Sequence, residues 1–263
     1  MCLIVFAWRP GHALPLVVAA NRDEFHARPT RALGPWADAP GVVAGRDLQA
    51  GGTWLGVAAG GRFAALTNIR APGQPAGVRS RGELAEHFLR DGSREPGAYL
   101  AEVAGRVDRY AGFNLLVGDA ASLWYLHAGA GTPERLAPGV YGLSNATLDT
   151  PWPKLVRARE ALSRCLDVPG IPDATALMAL LGDARPAADA ELPETGVPYE
   201  WEKRLSSVFI ASPDYGTRAS TVLLRRADGS GGIAERRFGP DGLLGETRLA
   251  LPLHEQPVGH QPC

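Results

Sequence analysis

Two uninterrupted apolar runs at the start of the chain constrain its fold more than any other feature. Cys2 to Trp8 and Pro15 to Ala20 are each of strand length, and neither alternates apolar with polar as a strand with one wet face does. Strands of this kind must be covered on both faces, so the pair belongs in the middle of a layered structure. Arg9 to Ala13 is short enough to be the turn that makes them antiparallel neighbours.

The rest of the chain is compatible with such layers. Strand-length segments follow at Val42 to Arg46, Thr53 to Val57 and Arg62 to Thr67, with Gly60-Gly61 as a two-residue hairpin signal. Helical spacing predicts helices over Glu83 to Leu89 and Pro96 to Val107, the second opening with a proline near its first turn. Strands return at Phe113 to Val117, Leu123 to His127 and Val140 to Ser144, helices at Pro153 to Leu166 and Asp173 to Leu181. Final strands are expected at Ser207 to Ala211, Ser220 to Arg225 and Ile233 to Phe238. An acidic, proline-rich stretch over 182–198 reads as a surface loop or lid, and a polar tail begins at about residue 251. Strands, helices, strands, helices, strands with hairpin-length turns predict an α+β protein, with two antiparallel sheets between two helix layers. No internal repeat divides the 263 residues, and 1–263 is read as a single domain.

Composition removes several functions. A formal net charge of -1 gives no electrostatic case for nucleic acid or an anionic membrane surface as partner. No stretch approaches the roughly 18–20 apolar residues of a membrane span, and no basic segment precedes the first apolar run as in a secretory signal. The cysteines, Cys2, Cys165 and Cys263, are too few and too far apart for a disulfide framework or a CxxC site, so a reducing, cytoplasmic setting is expected. Cys165 falls in a helix pattern as a core thiol, and Cys263 is terminal. His12, His26, His87, His127, His254 and His260 show no metal-ligand spacing, and no glycine-rich loop has the form of a phosphate cradle; neither metal nor cofactor is expected.

Position 2 is the first with chemistry in it. Removal of Met1 would leave Cys2 with a free α-amine of pKa near ~7.7–8.0, so one residue would hold both nucleophile and base. On its own a Met-Cys start reads more readily as a buried strand cysteine. Asn21-Arg22-Asp23-Glu24 closes the second apolar run, and four polar residues cannot continue a buried strand without partners. They suit a solvated turn; alternatively, adjacent strand ends place an ionised Asp23 against the Cys2 amine, where it would favour the charged form. Two further apolar strands each end in a hydroxyl residue followed by asparagine, Thr67-Asn68 and Ser144-Asn145, and an asparagine amide is a neutral donor suited to an oxyanion. In Gly216-Thr217-Arg218, Arg218 offers a planar fork suited to a carboxylate, or an exposed strand start. Trp54 either lines a pocket or packs in the core.

Taken in order, Cys2, Asn21-Arg22-Asp23-Glu24, Gly51-Gly52-Thr53-Trp54-Leu55-Gly56, Leu66-Thr67-Asn68, Gly142-Leu143-Ser144-Asn145 with Pro151-Trp152-Pro153-Lys154, and Gly216-Thr217-Arg218 resemble the NRDE-motif family, of the transport and Golgi organisation type. The chain is also similar to N-terminal-nucleophile (Ntn) hydrolases of the choloylglycine hydrolase and penicillin V acylase branch. The resemblance implies a four-layer αββα Ntn hydrolase-like sandwich. It implies catalytic roles for Cys2, Asp23, Asn68, Asn145 and Arg218, with Asn21, Arg22, Trp54, Thr67 and Ser144 as pocket residues. One departure is that the acylases set their arginine several residues before the aspartate. Arg22 adjoins Asp23 here, and strand alternation points neighbours to opposite faces.

Two functions from different classes stand open at this point. One is an N-terminal cysteine hydrolase cleaving the non-peptide C–N bond of a small acyl amide. The other is a non-catalytic binding or trafficking protein for an apolar ligand such as haem or an acyl-coenzyme A-like lipid. A redox or scaffold role has only a lone thiol behind it. Oligomeric state is beyond the sequence.

Overall fold

A computed structural model describes residues 2–73 and 75–251 of the chain. Five strands come first: β1 (Cys2–Trp8), β2 (Leu16–Phe25), β3 (Thr30–Trp36), β4 (Ala39–Asp47) and β5 (Leu55–Ala58). After β6 (Arg62–Asn68) come the helices α1 (Gly82–Arg90) and α2 (Pro96–Ala104), then β7 (Phe113–Gly118), β8 (Leu123–His127), β9 (Glu134–Arg135) and β10 (Gly139–Leu143). The chain continues through α3 (Pro153–Asp167), α4 (Ala174–Leu180) and α5 (Tyr199–Arg204) and closes with β11 (Tyr215–Arg225), β12 (Gly231–Gly239) and β13 (Gly242–Leu251).

The strands form two antiparallel sheets, ordered β10-β1-β2-β11-β12-β13 and β3-β4-β5-β6-β7-β8-β9. The uninterrupted apolar runs explain how the sheets are covered. Ile4, Phe6 and Trp8 of β1 point between the sheets, against Val57, Phe63 and Leu116 of the second sheet. Leu3, Val5 and Ala7 point the other way, against Leu155 and Leu162 of α3 and Leu177 of α4. The outer face of the second sheet is buried in turn under α1 and α2 by Leu84, Phe88, Tyr99 and Leu100. The order of layers is therefore helix, sheet, sheet, helix, with β1 and β2 in the interior of the first sheet.

Polar side chains on backbone carbonyls fasten the layers together. Arg62 donates from Nε and Nη2 to the Phe88 carbonyl at 3.1 and 3.0 Å and from Nη1 to that of Arg94 at 2.9 Å, holding the α1 layer on its sheet. Arg225, at the end of β11 paired with Leu16, donates to the carbonyls of Gly61 and Asp119 and so joins the two sheets. Leu16 pairs with Trp8, so this link lies at the opposite end of β1 from Cys2.

Several expectations are corrected. The second strand does not close before Asn21; β2 runs on to Phe25, with Asn21, Arg22 and Asp23 all buried. Burial of these polar groups is tolerated because each has a partner, as hydrogen-bonding groups out of water require. Ser207 to Ala211 is not a strand. Its backbone and side chains bond the 182–198 segment and the start of β11, Phe209 N–H reaching the Asp183 carbonyl at 2.9 Å. Strands β3, β9 and β13 and helix α5 were not anticipated. Both β3 and β13 are sheet edges; β3 carries Pro35, tolerated at an edge because no ladder donor is needed there. Gly60 and Gly61 do turn the β5–β6 hairpin with φ of 70° and 73°, but as part of a three-residue connection. The 182–198 segment contains no strand or α-helix, only a short 3-10 turn at Asp189–Glu191. The polar tail, Cys263, His254 and His260 lie outside the described residues.

Candidate active site

Where β1 begins, the two sheets part to leave a cleft of about 140 Å³. Its walls include Cys2, Arg22, Asp23 and Glu24 from the first sheet, Trp54, Leu66 and Asn68 from the second, and Arg81 and Gly82 at the start of α1. Cys2 pairs directly across from Arg22, so the two side chains share the face between the sheets. Asp23 belongs to the opposite face, toward α3, but at the strand end it still lines the cleft. The separation of Arg22 from Asp23 by alternation thus holds, and it is Arg22 that shares the face of the thiol.

Cys2 is half-buried and free. Burial pushes its thiol pKa up; Asp23 adds to this and Arg22 opposes it. Asp23 is 1% exposed and accepts from the Thr217 hydroxyl at 2.8 Å. Burial also raises the pKa of its carboxyl, with the charge of Lys154 pulling it back down. That lysine, from the first turn of α3, is a charged neighbour of the site that the sequence reading did not single out. It is 1% exposed, and its ammonium has no hydrogen-bond partner among the described residues. Burial lowers its pKa to about 8, against the attraction of Asp23. Nearby Arg70 donates to Glu202 at 2.5 Å and lies over the Trp152 ring, 4.6 Å from its centre. The only signal for Lys154 was its place in Pro-Trp-Pro-Lys, in a chain with just one other lysine, Lys203.

The two strand-ending asparagines meet. Asn145 Nδ2 donates to the backbone carbonyl of Asn68 at 2.9 Å and to its Oδ1 at 3.1 Å. Asn145 is 1% exposed and does not line the cleft, so it orients Asn68, which does. Around them the Thr67 hydroxyl donates to the Ser144 carbonyl at 2.5 Å, and the Ser144 hydroxyl to the Cys2 carbonyl at 3.1 Å. These bonds pin the ends of β1, β6 and β10 to one another. Trp54 forms part of the wall, with the Arg22 guanidinium 4.6 Å from its ring centre.

Of the expected site residues, Thr67, Ser144 and Asn145 stand behind the cleft wall rather than in it, and two more lie farther off. Asn21 donates to the carbonyls of Leu181 and Val208 at 2.9 and 2.8 Å, on the helix side of the sheet. Arg218 sits at an irregularity between Thr217 and Ala219 that throws it out of the ladder, where it donates to the carbonyls of Phe25, His26 and Arg28. It braces the β2–β3 turn and forms no part of the cleft wall. Among the described residues no cluster of three or more His, Cys, Asp or Glu is placed to hold a metal, and no helix is long and apolar enough to cross a membrane.

Fold and site together define an αββα protein whose first strand presents a half-buried cysteine to a charged cleft at one end of the sheet sandwich. The family model described as Transport and Golgi organisation 2 matches residues 1–240, and the chain belongs to that family. It is 37% identical to the Transport and Golgi organization protein 2 homolog of Bos taurus, across 97% of this chain and 98% of that one. The Homo sapiens homolog is 34% identical over 90% and 92% of the two chains. Among solved structures, the Caenorhabditis elegans N-acylethanolamine-hydrolyzing acid amidase ortholog overlays with a TM-score of 0.45 at 11% identity, covering 85% of this chain and 92% of that one. The C2A mutant of conjugated bile acid hydrolase from Clostridium perfringens overlays with a TM-score of 0.46 at 10% identity, covering 95% and 92%.

Proposed function

We propose that this protein is an N-terminal-cysteine hydrolase that cleaves the C–N bond of a small acyl amide, with Cys2 as nucleophile. The observation that carries the reading is the placement of Cys2, a free thiol at the start of an interior strand, opening into a polar cleft beside an asparagine held in position from behind. With Met1 removed, the α-amine of Cys2 takes the thiol proton, and Sγ attacks the substrate carbonyl carbon. The carbonyl oxygen becomes an oxyanion, for which Asn68 is the candidate donor. The C–N bond then breaks, the leaving amine departs with the proton held by the α-amine, and an acyl thioester remains on Cys2. Water attacks that thioester, releasing the carboxylic acid and restoring the thiol. Asp23 keeps the α-amine oriented, and its own charge is supported by Lys154 behind it.

The carrier alternative finds little support in this cleft. Apart from Trp54 and Leu66 its walls are dominated by charged and polar groups, which suit neither a haem nor an acyl chain. Intact-mass spectrometry before and after exposure to glutaryl- and pentanoyl-p-nitroanilide tests the reading. The mature chain is expected to begin at Cys2 and to acquire an acyl mass on Cys2 with release of p-nitroaniline, both lost in Cys2→Ser. Retention of Met1 in the active preparation, or no acylation by either compound, overturns the proposal.

A further inference from the structure

The cleft wall holds three arginines and three carboxylates, but they do not pair off one to one among the described residues. Arg28 is paired with Asp47 at 2.7 Å and lies 3.8 Å from Glu24, and Arg22 lies 3.7 Å from Glu24. Asp23 is engaged by Thr217 and faces the charge of Lys154. Arg81 is left over. It lines the cleft beside Cys2, yet its one hydrogen bond among the described residues is from Nη1 to the Gly112 carbonyl at 3.2 Å, and it pairs with no carboxylate there. The guanidinium is partly withdrawn from water, with Cys2 and Glu24 among the groups whose charges act on it. A cation withdrawn from water without an anion is costly, so the position is one that a ligand anion would stabilise.

Arg81 is also firmly mounted. The Thr53 N–H donates to the Gly82 carbonyl at 3.2 Å, and Gly52 packs so closely that a Cβ there would come within 2.4 Å of the Gly82 carbonyl carbon. The start of α1 is thereby locked to the cleft wall, and the planar fork of Arg81 with it. A guanidinium with free N–H donors is shaped to receive a carboxylate in parallel.

We propose that Arg81 is an anion-binding residue of the cleft, and that the substrate of the hydrolase proposed above carries a carboxylate on the side of the scissile carbonyl that faces α1. The substrates are thus acidic amides, such as monoamides of short dicarboxylic acids or amides of amino acids. The inference rests on Cys2 and Arg81 sharing one cleft, and it is tested without turnover by the alkylation of Cys2, in which Sγ displaces iodide. Iodoacetate carries a carboxylate and iodoacetamide is its neutral counterpart. Relative to Cys165, which is half-buried on α3 and not fully in the core, Cys2 is expected to favour iodoacetate over iodoacetamide by on the order of tenfold at low salt, with the preference shrinking as salt is added. Arg81→Gln is expected to abolish this preference, Arg81→Lys to retain part of it, and Arg135→Gln, an exposed arginine on β9, to leave it intact. Circular dichroism confirms that each variant is folded; if Arg81→Gln does not fold, Arg81→Lys and glutarate protection of the wild-type thiol decide. An unchanged ratio in Arg81→Gln, no protection by glutarate, or a Cys2 inert to both reagents overturns the inference. Failure of amide hydrolysis alone, with the iodoacetate preference present, removes the hydrolase and leaves the anion site standing.

Discussion

Lys154 is placed where a lysine is least comfortable, and that makes its behaviour measurable. Its folded pKa of about 8 lies below the ordinary 10.5, so between these values the unfolded chain binds the extra proton. Stability from this group is therefore fully present above about 10.5 and lost as pH falls through about 8. Thermal unfolding followed from pH 7 to 10.5 should show wild type gaining on Lys154→Met by roughly 3 kcal/mol across that window. A flat difference would mean that the ammonium is neutralised some other way. The asparagine pair yields a second contrast. Asn68→Ala should lower turnover of the p-nitroanilide that acylates Cys2 by ~10²–10³-fold, as loss of an oxyanion donor does. Asn145→Ala should cost less in rate and more in stability, about 1–3 kcal/mol, because it removes the two hydrogen bonds that Asn145 donates to Asn68; kcat and Tm measured on both variants separate the roles. Cys2 and Asn68 could be singled out in the sequence because one begins and the other ends an apolar strand, and Asp23 because it sits in a polar run that follows another. Lys154 and Arg81 could not be, since what marks them is a buried ammonium without a hydrogen-bond partner and a guanidinium without a carboxylate, and pairing is decided by segments far apart in the chain. Arg218 misled for a related reason: the irregularity that turns it away from the cleft has no fixed sequence signature.

Strand β2 shows why the end of a strand is hard to see in a sequence. Four polar residues in a row look like a turn, yet here they continue the strand because distant groups meet their demands. Asn21 alone satisfies two carbonyls and accepts from the Ser220 hydroxyl at 2.6 Å. Asn21→Ala should destabilise the fold by roughly 3 kcal/mol while leaving alkylation of Cys2 nearly unchanged, as read by urea unfolding and by labelling rate. The reverse error occurred at Ser207 to Ala211, whose apolar residues suggested a strand but pack singly, Val208 on the α3 side and Ile210 against Leu205 and Tyr215. The seating of α1 invites a test of its own. Gly52→Ala must push the helix start away, costing ~1–3 kcal/mol, and should weaken the iodoacetate preference of Cys2 because Arg81 moves with the helix.

The sandwich is held at both ends and by different means. At the cleft, side chains of Thr67, Ser144 and Asn145 join three strand ends; at the far end Arg225 spans the sheets. Replacing Arg225 with Met should lower Tm by about 4–8 °C, for a loss of roughly 2 kcal/mol, without altering the iodoacetate-to-iodoacetamide ratio at Cys2. A change in that ratio would show that the cleft depends on the far end. The layer order was legible because it follows from apolar runs too long to have a wet face. Which sheet each strand joins was not, because edge strands such as β3 and β13 bury too little to leave a pattern.

Most of the fastenings between layers run from an asparagine or arginine to a main-chain carbonyl: Asn21 to Leu181 and Val208, Arg62 to Phe88 and Arg94, Arg225 to Gly61 and Asp119. Every amino acid brings that carbonyl with it. Over evolutionary time the receiving positions are therefore free to drift in identity without loosening the sandwich, whereas the few donors are not. Descendants of one ancestor could diverge widely around this cleft and still inherit its shape, so long as a handful of asparagines and arginines stayed in place.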